Sequence, residues 1–297
     1  EFAVGIFTNL SHEHLDFHGT MENYLAAKAK LFDRCRVGLF NADDAAGRTL
    51  LQNARCRAVS YGLTPPCDYL AEEIESRGVR GSTYILHTKN ARFRIKTQIP
   101  GTFTLYNTLA AAAAARECGV DLVCIQNALY ALRGIAGRLE KVNLGFAGGA
   151  FTAFIDYAHT PFALENLLRC VRAFRGTGQR IVTLFGCGGD RDRSKRPEMG
   201  RIATANSDYV IITSDNPRGE DPQTIIRDIL GGVGAADNYK VIENRREAIE
   251  YAVANALAGD IILLVGKGHE QYEIDKDGLH PFSETEIVQE AAERYRS

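Results

Sequence analysis

Beyond residue 134 the chain keeps a strict rhythm, short apolar runs alternating with amphipathic stretches, and this rhythm restricts the fold more than any other feature. The spacing predicts strands over 151–157, 180–185, 209–213, 240–242 and 261–265. Between and after them it predicts helices over 162–174, 198–205, 223–230, 246–257 and 284–294. Strands separated by helices cross over with one hand and pair in parallel, so the expected fold class is α/β, with a mostly parallel, Rossmann-like sheet covered on both faces. In such a sheet the ligand crevice lies beyond the carboxyl ends of the strands. Four polar motifs stand at those exits: Asp156-Tyr157-Ala158-His159, Gly186-Cys187-Gly188-Gly189-Asp190-Arg191, Ser214-Asp215-Asn216-Pro217-Arg218 and Gly266-Lys267-Gly268-His269-Glu270.

The first part of the chain is less regular. Residues 4–10 read as a buried strand, 21–33 as an amphipathic helix capped by Thr20, and 37–41 as a second strand. Alternation over 82–88 and 92–99 suggests a small β-rich excursion, and helices follow over 109–117 and 122–132. With 297 residues, 45% of them hydrophobic, two domains with separate cores are expected, 1–136 and 137–297. The chain opens at Glu1 in a strand-like pattern with no initiator methionine, which reads as a truncated chain.

A net charge of −2 with interspersed signs supplies no footprint for nucleic acid or an anionic membrane surface. Any anion must therefore be gripped locally. The seven cysteines form no CxxC pair, which favours reduced thiols in a cytoplasmic protein. No apolar run reaches the roughly 18 residues of a membrane span.

Several clusters carry possible chemistry, each with a plainer reading. Asp215-Asn216-Pro217-Arg218 could hold a zwitterionic amino acid by both charges, or be a proline turn with a solvated arginine. The glycines of 186–189 match neither the GxxxxGK[ST] loop nor GxGxxG; Arg191 and Arg193 could face an anion, or the segment could be a tight turn. Residues 8–18 gather His12, His14, His18, Glu13 and Asp16, enough for a divalent metal or for a polar loop. Magnesium is favoured over zinc if phosphate chemistry is nearby. Lys28 reads first as a solvated helical lysine, and Arg138 as either an exposed ion pair with Glu140 or a phosphate ligand.

Taken in order, TNLSHEHLDFHGTMENYLAAKAKLF, NADD, GTFTLYNTLAAAAAA, GRLE, DYAHTP, FGCGGDRDRSKRPEMG, TSDNPRGEDP and GKGHE resemble the Mur ligase family, in its diaminopimelate-adding branch. The resemblance implies that the first part is a remnant of a central P-loop-type ATPase domain and the second an amino-acid-binding domain. It implies ATP as cosubstrate and Mg2+ as metal. His14 matches a magnesium-binding histidine and Lys28 a carbamylated lysine that supports the metal. Asn107 matches a residue near adenine, Arg138 and Asp156 match contacts to phosphate and ribose, and His159 lies in the same motif. Arg191, Asp215, Asn216, Pro217, Arg218, Gly266 and Glu270 fall on positions that bind meso-diaminopimelate, with Arg218 the expected source of specificity.

The implied partners are the small molecules UDP-MurNAc-L-Ala-D-Glu, meso-diaminopimelate and ATP, acted on by a monomer. Thr104 departs from the family's frequent asparagine, and Glu13 from its usual aspartate. No GxxxxGK[ST] segment occurs, so the chain alone is expected to lack ligase activity. Rival readings are a lysine-adding or folate-type ligase, against which Arg218 argues, and a non-catalytic scaffold that kept the fold.

Overall fold

The structure, a computed structural model, describes residues 1–10, 15–144 and 151–295. The chain divides into two compact units, Glu1–Arg133 and Gly134–Ser297. Among the described residues no helix is long and apolar enough to cross a membrane.

The first unit runs β1 (Phe2–Phe7), α1 (Leu15–His18), α2 (Met21–Ala29), β2 (Cys35–Asn41), α3 (Ala45–Asn53), β3 (Arg57–Gly62) and β4 (Tyr69–Ser76). It continues through β5 (Ser82–Thr88), β6 (Ala91–Thr97), α4 (Thr102–Glu117) and α5 (Leu122–Ala131). Its single sheet has the order β1-β2-β3-β4-β5-β6. Pairing is parallel from β1 to β4 and antiparallel from β4 to β6. Successive residues of β2 feed opposite faces, as the pleat requires: Leu39 joins a core with Tyr61, Leu86 and Leu109, whereas Phe40 joins Phe7, Phe32 and Leu50. The alanines of α4 leave room for close approach, and this helix lies across β1, β2, β3 and β4.

Three expectations are corrected here. The helix expected over 21–33 stops at Ala29, and Phe32–Arg34 forms a 3-10 turn that seats the Phe32 ring 4.5 Å from that of Phe40. Burying Phe32 outweighs continuing the helix. The alanine-rich helix begins seven residues earlier than its alanines suggested, at Thr102, after Gly101 at φ 102°. The Thr104 hydroxyl donates to Pro100 O at 2.9 Å, so this departure from asparagine is absorbed in the helix start. α3, β3 and β4 were not anticipated; Asp44 starts α3 by accepting from Gly47 N, a cap legible in retrospect.

The second unit runs β7 (Glu140–Lys141), β8 (Thr152–Asp156), α6 (Pro161–Phe174), β9 (Ile181–Phe185), α7 (Lys195–Asn206), β10 (Tyr209–Ile212), α8 (Pro222–Leu230) and β11 (Tyr239–Val241). It ends with α9 (Arg245–Ala254), β12 (Ile261–Val265), a hairpin of β13 (Tyr272–Asp275) and β14 (Gly278–Pro281), and α10 (Glu284–Arg294). The sheet order is β11-β10-β9-β12-β8-β7, parallel except for β7. The chain steps outward from β8 to β11 through α6, α7 and α8, which pack in a row, and then returns through α9 to insert β12. With right-handed crossovers, that reversal sends α9 and α10 to the opposite face. Every residue of β9 and β12 is buried, as a doubly covered strand demands.

Here α7 starts at Lys195 rather than 198: Pro197 falls in the first turn, where its missing N–H costs nothing. The hairpin β13–β14 was not foreseen.

Residues 134–141 go with this unit because they are built into it. Tyr157 N donates to Gly137 O, and a Cβ on Gly137, at φ 66°, would stand 2.3 Å from His269 N. Only glycine fits there.

Candidate functional site

The four expected motifs all leave the carboxyl ends of β8, β9, β10 and β12, and they line one cavity of about 560 Å³. β8 supplies His159, β9 supplies Arg191, β10 supplies Asp215, Asn216 and Arg218, and β12 supplies Gly266 and Glu270. β12 lies between β9 and β8 while its chain continues to the other face, so the cavity sits where crossovers diverge. Pro217 is not in the lining; its carbonyl lies where a Cβ on Gly189 would collide, 1.9 Å away, and accepts from Glu220 N.

Charges of both signs meet in this hollow. Arg191 is exposed and makes no ion pair among the described residues. Arg218 holds φ at 53°, its N–H bound to Ile274 O, while its Nη1 donates to Gly189 O at 2.8 Å. Its Nε and Nη2 make no hydrogen bond among the described residues. Glu270 is half-buried and accepts from Asn216 Nδ2 at 2.8 Å. Gly266 has φ 117°, and a Cβ there would fall 2.6 Å from Asp215 Oδ2, so this glycine makes room for the carboxylate.

Behind the cavity lies a buried polar layer that no local sequence signal revealed. Arg245, fully enclosed, pairs with Glu284 at 2.8 Å and donates to Ser214 O and Val265 O, stitching the exits of β10 and β12 together. Its Nη1 is 3.9 Å from Asp215 Oδ2. Burial pushes the Glu284 carboxyl up against the pull of Arg245, and burial likewise draws the Lys267 ammonium down. Lys267 donates to Asn216 Oδ1 at 2.7 Å and Tyr272 O at 2.9 Å.

Arg196, also enclosed, binds Glu220, Asp228 and Gly188 O and so anchors the glycine loop. Its guanidinium holds Glu220 at about 2 and depresses Asp228. Lys195 Nζ donates to His159 O, tying the β8 exit to the start of α7. Cys187, buried in the cavity wall with its Sγ toward Met199, has its thiol pushed up to about 12 by desolvation and is no nucleophile.

The remaining expected residues lie elsewhere. Asp156 Oδ2 accepts from Leu139 N at 2.7 Å and Oδ1 from Ala158 N at 2.9 Å; burial raises its pKa, and those amides oppose the rise. Arg138 stacks 5.2 Å from the Tyr157 ring centre rather than pairing with Glu140, which accepts from Gly137 N. In the first unit Asn107 is exposed on α4. Lys28 is exposed on α2 with Nζ 5.2 Å from the Tyr24 ring centre, and the His18 ring stacks on the same tyrosine at 4.5 Å. His12, Glu13 and His14 lie outside the described residues. Among those described, no three His, Cys, Asp or Glu side chains assemble a metal site.

A doubly wound sheet with a mixed-charge hollow at its switch point defines a ligand-binding α/β domain, and sequence comparison fixes its kind. The profile of the Mur ligase middle domain matches residues 1–115, and that of the Mur ligase glutamate ligase domain matches 137–268. The chain belongs to the Mur ligase family.

It is 44% identical over 292 residues to the UDP-N-acetylmuramoyl-L-alanyl-D-glutamate--2,6-diaminopimelate ligase of Clostridium botulinum, with 98% of this chain and 59% of that protein aligned. A solved structure described by the same enzyme name superimposes with a TM-score of 0.70 at 34% identity, over 99% of this chain and 61% of that one. The Thermotoga maritima MurF ligase in complex with ADP aligns at TM-score 0.65 and 15% identity, over 99% of this chain and 62% of that one, a likeness of fold alone. The chain thus spans about three-fifths of the length of the relatives it matches.

Proposed function

We propose that this chain is part of an ATP-dependent ligase that joins meso-diaminopimelate to the D-glutamate γ-carboxylate of UDP-MurNAc-L-Ala-D-Glu in peptidoglycan synthesis. The observation that carries the reading is the cavity where Arg191 and Arg218 meet Asp215 and Glu270. Diaminopimelate has two ammonium and two carboxylate groups, and this donor set complements both signs. The free Nε and Nη2 of Arg218 form the fork that takes a carboxylate by two parallel bonds. Lysine lacks the second carboxylate, so the arginine discriminates.

In the proposed reaction the γ-carboxylate attacks the ATP γ-phosphate, giving an acyl phosphate and ADP. The free amine of diaminopimelate then attacks the acyl carbon, and the tetrahedral intermediate collapses to amide and phosphate. Glu270 and Asp215 bind the ammonium that is not reacting, while the two arginines orient the carboxylates; alignment of this kind contributes about 7 to 11 kcal/mol in well-oriented systems.

Asn107 is proposed to face adenine, and Arg138, Asp156 and His159 the phosphate and ribose. Asp156, with an amide already on each oxygen, is rigidly aimed for such a contact. For Mg2+ the described residues do not fit as they stand: Lys28 is a cation over an aromatic face, and its proposed partner His14 is outside them. No step is routed through the metal. Seven free thiols accord with a reducing cytoplasm.

The test is calorimetric binding of meso-diaminopimelate and of lysine to the chain and to Arg218→Ala. The unaltered chain is expected to prefer diaminopimelate, and the variant to lose about ten- to a hundredfold for diaminopimelate only. Equal losses for both amino acids would remove Arg218 from the specificity role.

A further inference from the structure

We infer that Lys267 is a positioning residue of the amino-acid site, its buried ammonium fixing which end of the Asn216 side-chain amide faces Glu270; this rests on the amino-acid-binding reading above. A side-chain amide has a donor end and an acceptor end of nearly equal shape, so its neighbours decide its orientation. Around Asn216 they decide it fully. Oδ1 takes two donors, Lys267 Nζ at 2.7 Å and Ile274 N at 3.0 Å, and Nδ2 is thereby turned to Glu270 Oε2 at 2.8 Å.

A flipped amide would press its NH2 against an ammonium and an N–H, and its oxygen against a carboxylate. All three contacts would be between groups of like polarity. Nδ2 holds one oxygen of Glu270 and leaves Oε1 for a ligand ammonium.

Lys267 does not line the cavity, and its side chain is wholly enclosed, with Nζ 5.4 Å from the Phe282 ring centre. Its effect on a ligand must pass through what it touches. Its second bond, to Tyr272 O, fixes the start of the hairpin β13–β14, whose Ile274 supplies the other donor to Asn216. The hairpin, absent from the rhythm of strand and helix, is therefore part of the same device.

The experiment measures meso-diaminopimelate binding by calorimetry to the full 297-residue chain and to Lys267→Met, Lys267→Gln, Asn216→Ala and the Lys267→Met/Asn216→Ala pair. Lys267→Met is expected to weaken binding about tenfold or more, and Lys267→Gln, which keeps N–H donors, by about threefold or less. Once Asn216 is alanine, Lys267→Met should weaken binding by less than about twofold further, since coupled residues are not additive.

Full additivity, or unchanged binding by Lys267→Met, overturns the positioning role while leaving the amino-acid site in place. No binding by the unaltered chain overturns the amino-acid reading and the inference with it. If Lys267→Met does not fold, Asn216→Asp carries the test: it keeps an acceptor for Lys267 and loses the donor to Glu270. With an oxygen set against the Glu270 carboxylate it is expected to bind about tenfold more weakly, and retained affinity overturns the inference.

Discussion

The two units expose their candidate residues in opposite ways. In Gly134–Ser297 the residues of interest stand on loops at strand exits, with Arg245, Lys267 and Arg196 enclosed behind them. In Glu1–Arg133 the described candidates, Lys28 and Asn107, stand exposed on helices, and no charged residue of that unit is buried among the described residues. In the second unit site and stability are thus coupled through shared residues; in the first they are separable. In the buried layer the exits of β9, β10 and β12 are fastened to one another by enclosed cations.

The largest test of that contrast is Arg245→Met. It leaves Glu284 enclosed without its partner and is expected to cost about 3–5 kcal/mol in urea unfolding. A loss below about 1 kcal/mol would break the claim that the layer holds the unit together. Next comes Gly266→Ala, which combines φ 117° with a Cβ 2.6 Å from Asp215 Oδ2; strain of about 1–3 kcal/mol is expected, together with weaker diaminopimelate binding.

Acid sharpens the comparison further. Arg196 depresses Glu220, so the pair's contribution is fully present above the ordinary glutamate value of 4.5 and is lost as pH falls toward about 2. Stability of the second unit should therefore decline over that window, and Glu220→Gln should flatten the decline in an acid titration followed by circular dichroism. The smallest effect is expected in the first unit. Asn107→Ala should change stability by no more than about 0.5 kcal/mol while lowering ATP affinity, measured by nucleotide titration of the protein that carries the complete ATP site. A stability loss like that of Arg245→Met would erase the distinction between the units.

How much of this was legible in the sequence differs along the chain for a physical reason. The strands of the second unit are buried on both faces, so their apolar runs stand out, and 261–265 and 284–294 fall on β12 and α10 as expected. In the first unit β4 is exposed from Glu73 to Ser76, and β3 buries Ser60 against Asp68, so neither stands out as an apolar run in the sequence. The ring of Phe32 ended a helix early because packing outweighed local propensity, and α4 begins after Gly101 at φ 102°, ahead of its alanines.

By itself the sequence determined the α/β class, the four strand-exit motifs and the family, since each is written in contiguous residues. Only the tertiary structure decided that Arg191, Arg218, Asp215 and Glu270 share one hollow, that Pro217 is not in its lining, and that Arg245 and Glu284, 39 positions apart in the chain, meet. Contacts between residues distant in sequence depend on the order in which strands enter the sheet. Here the late insertion of β12 between β9 and β8 set that order.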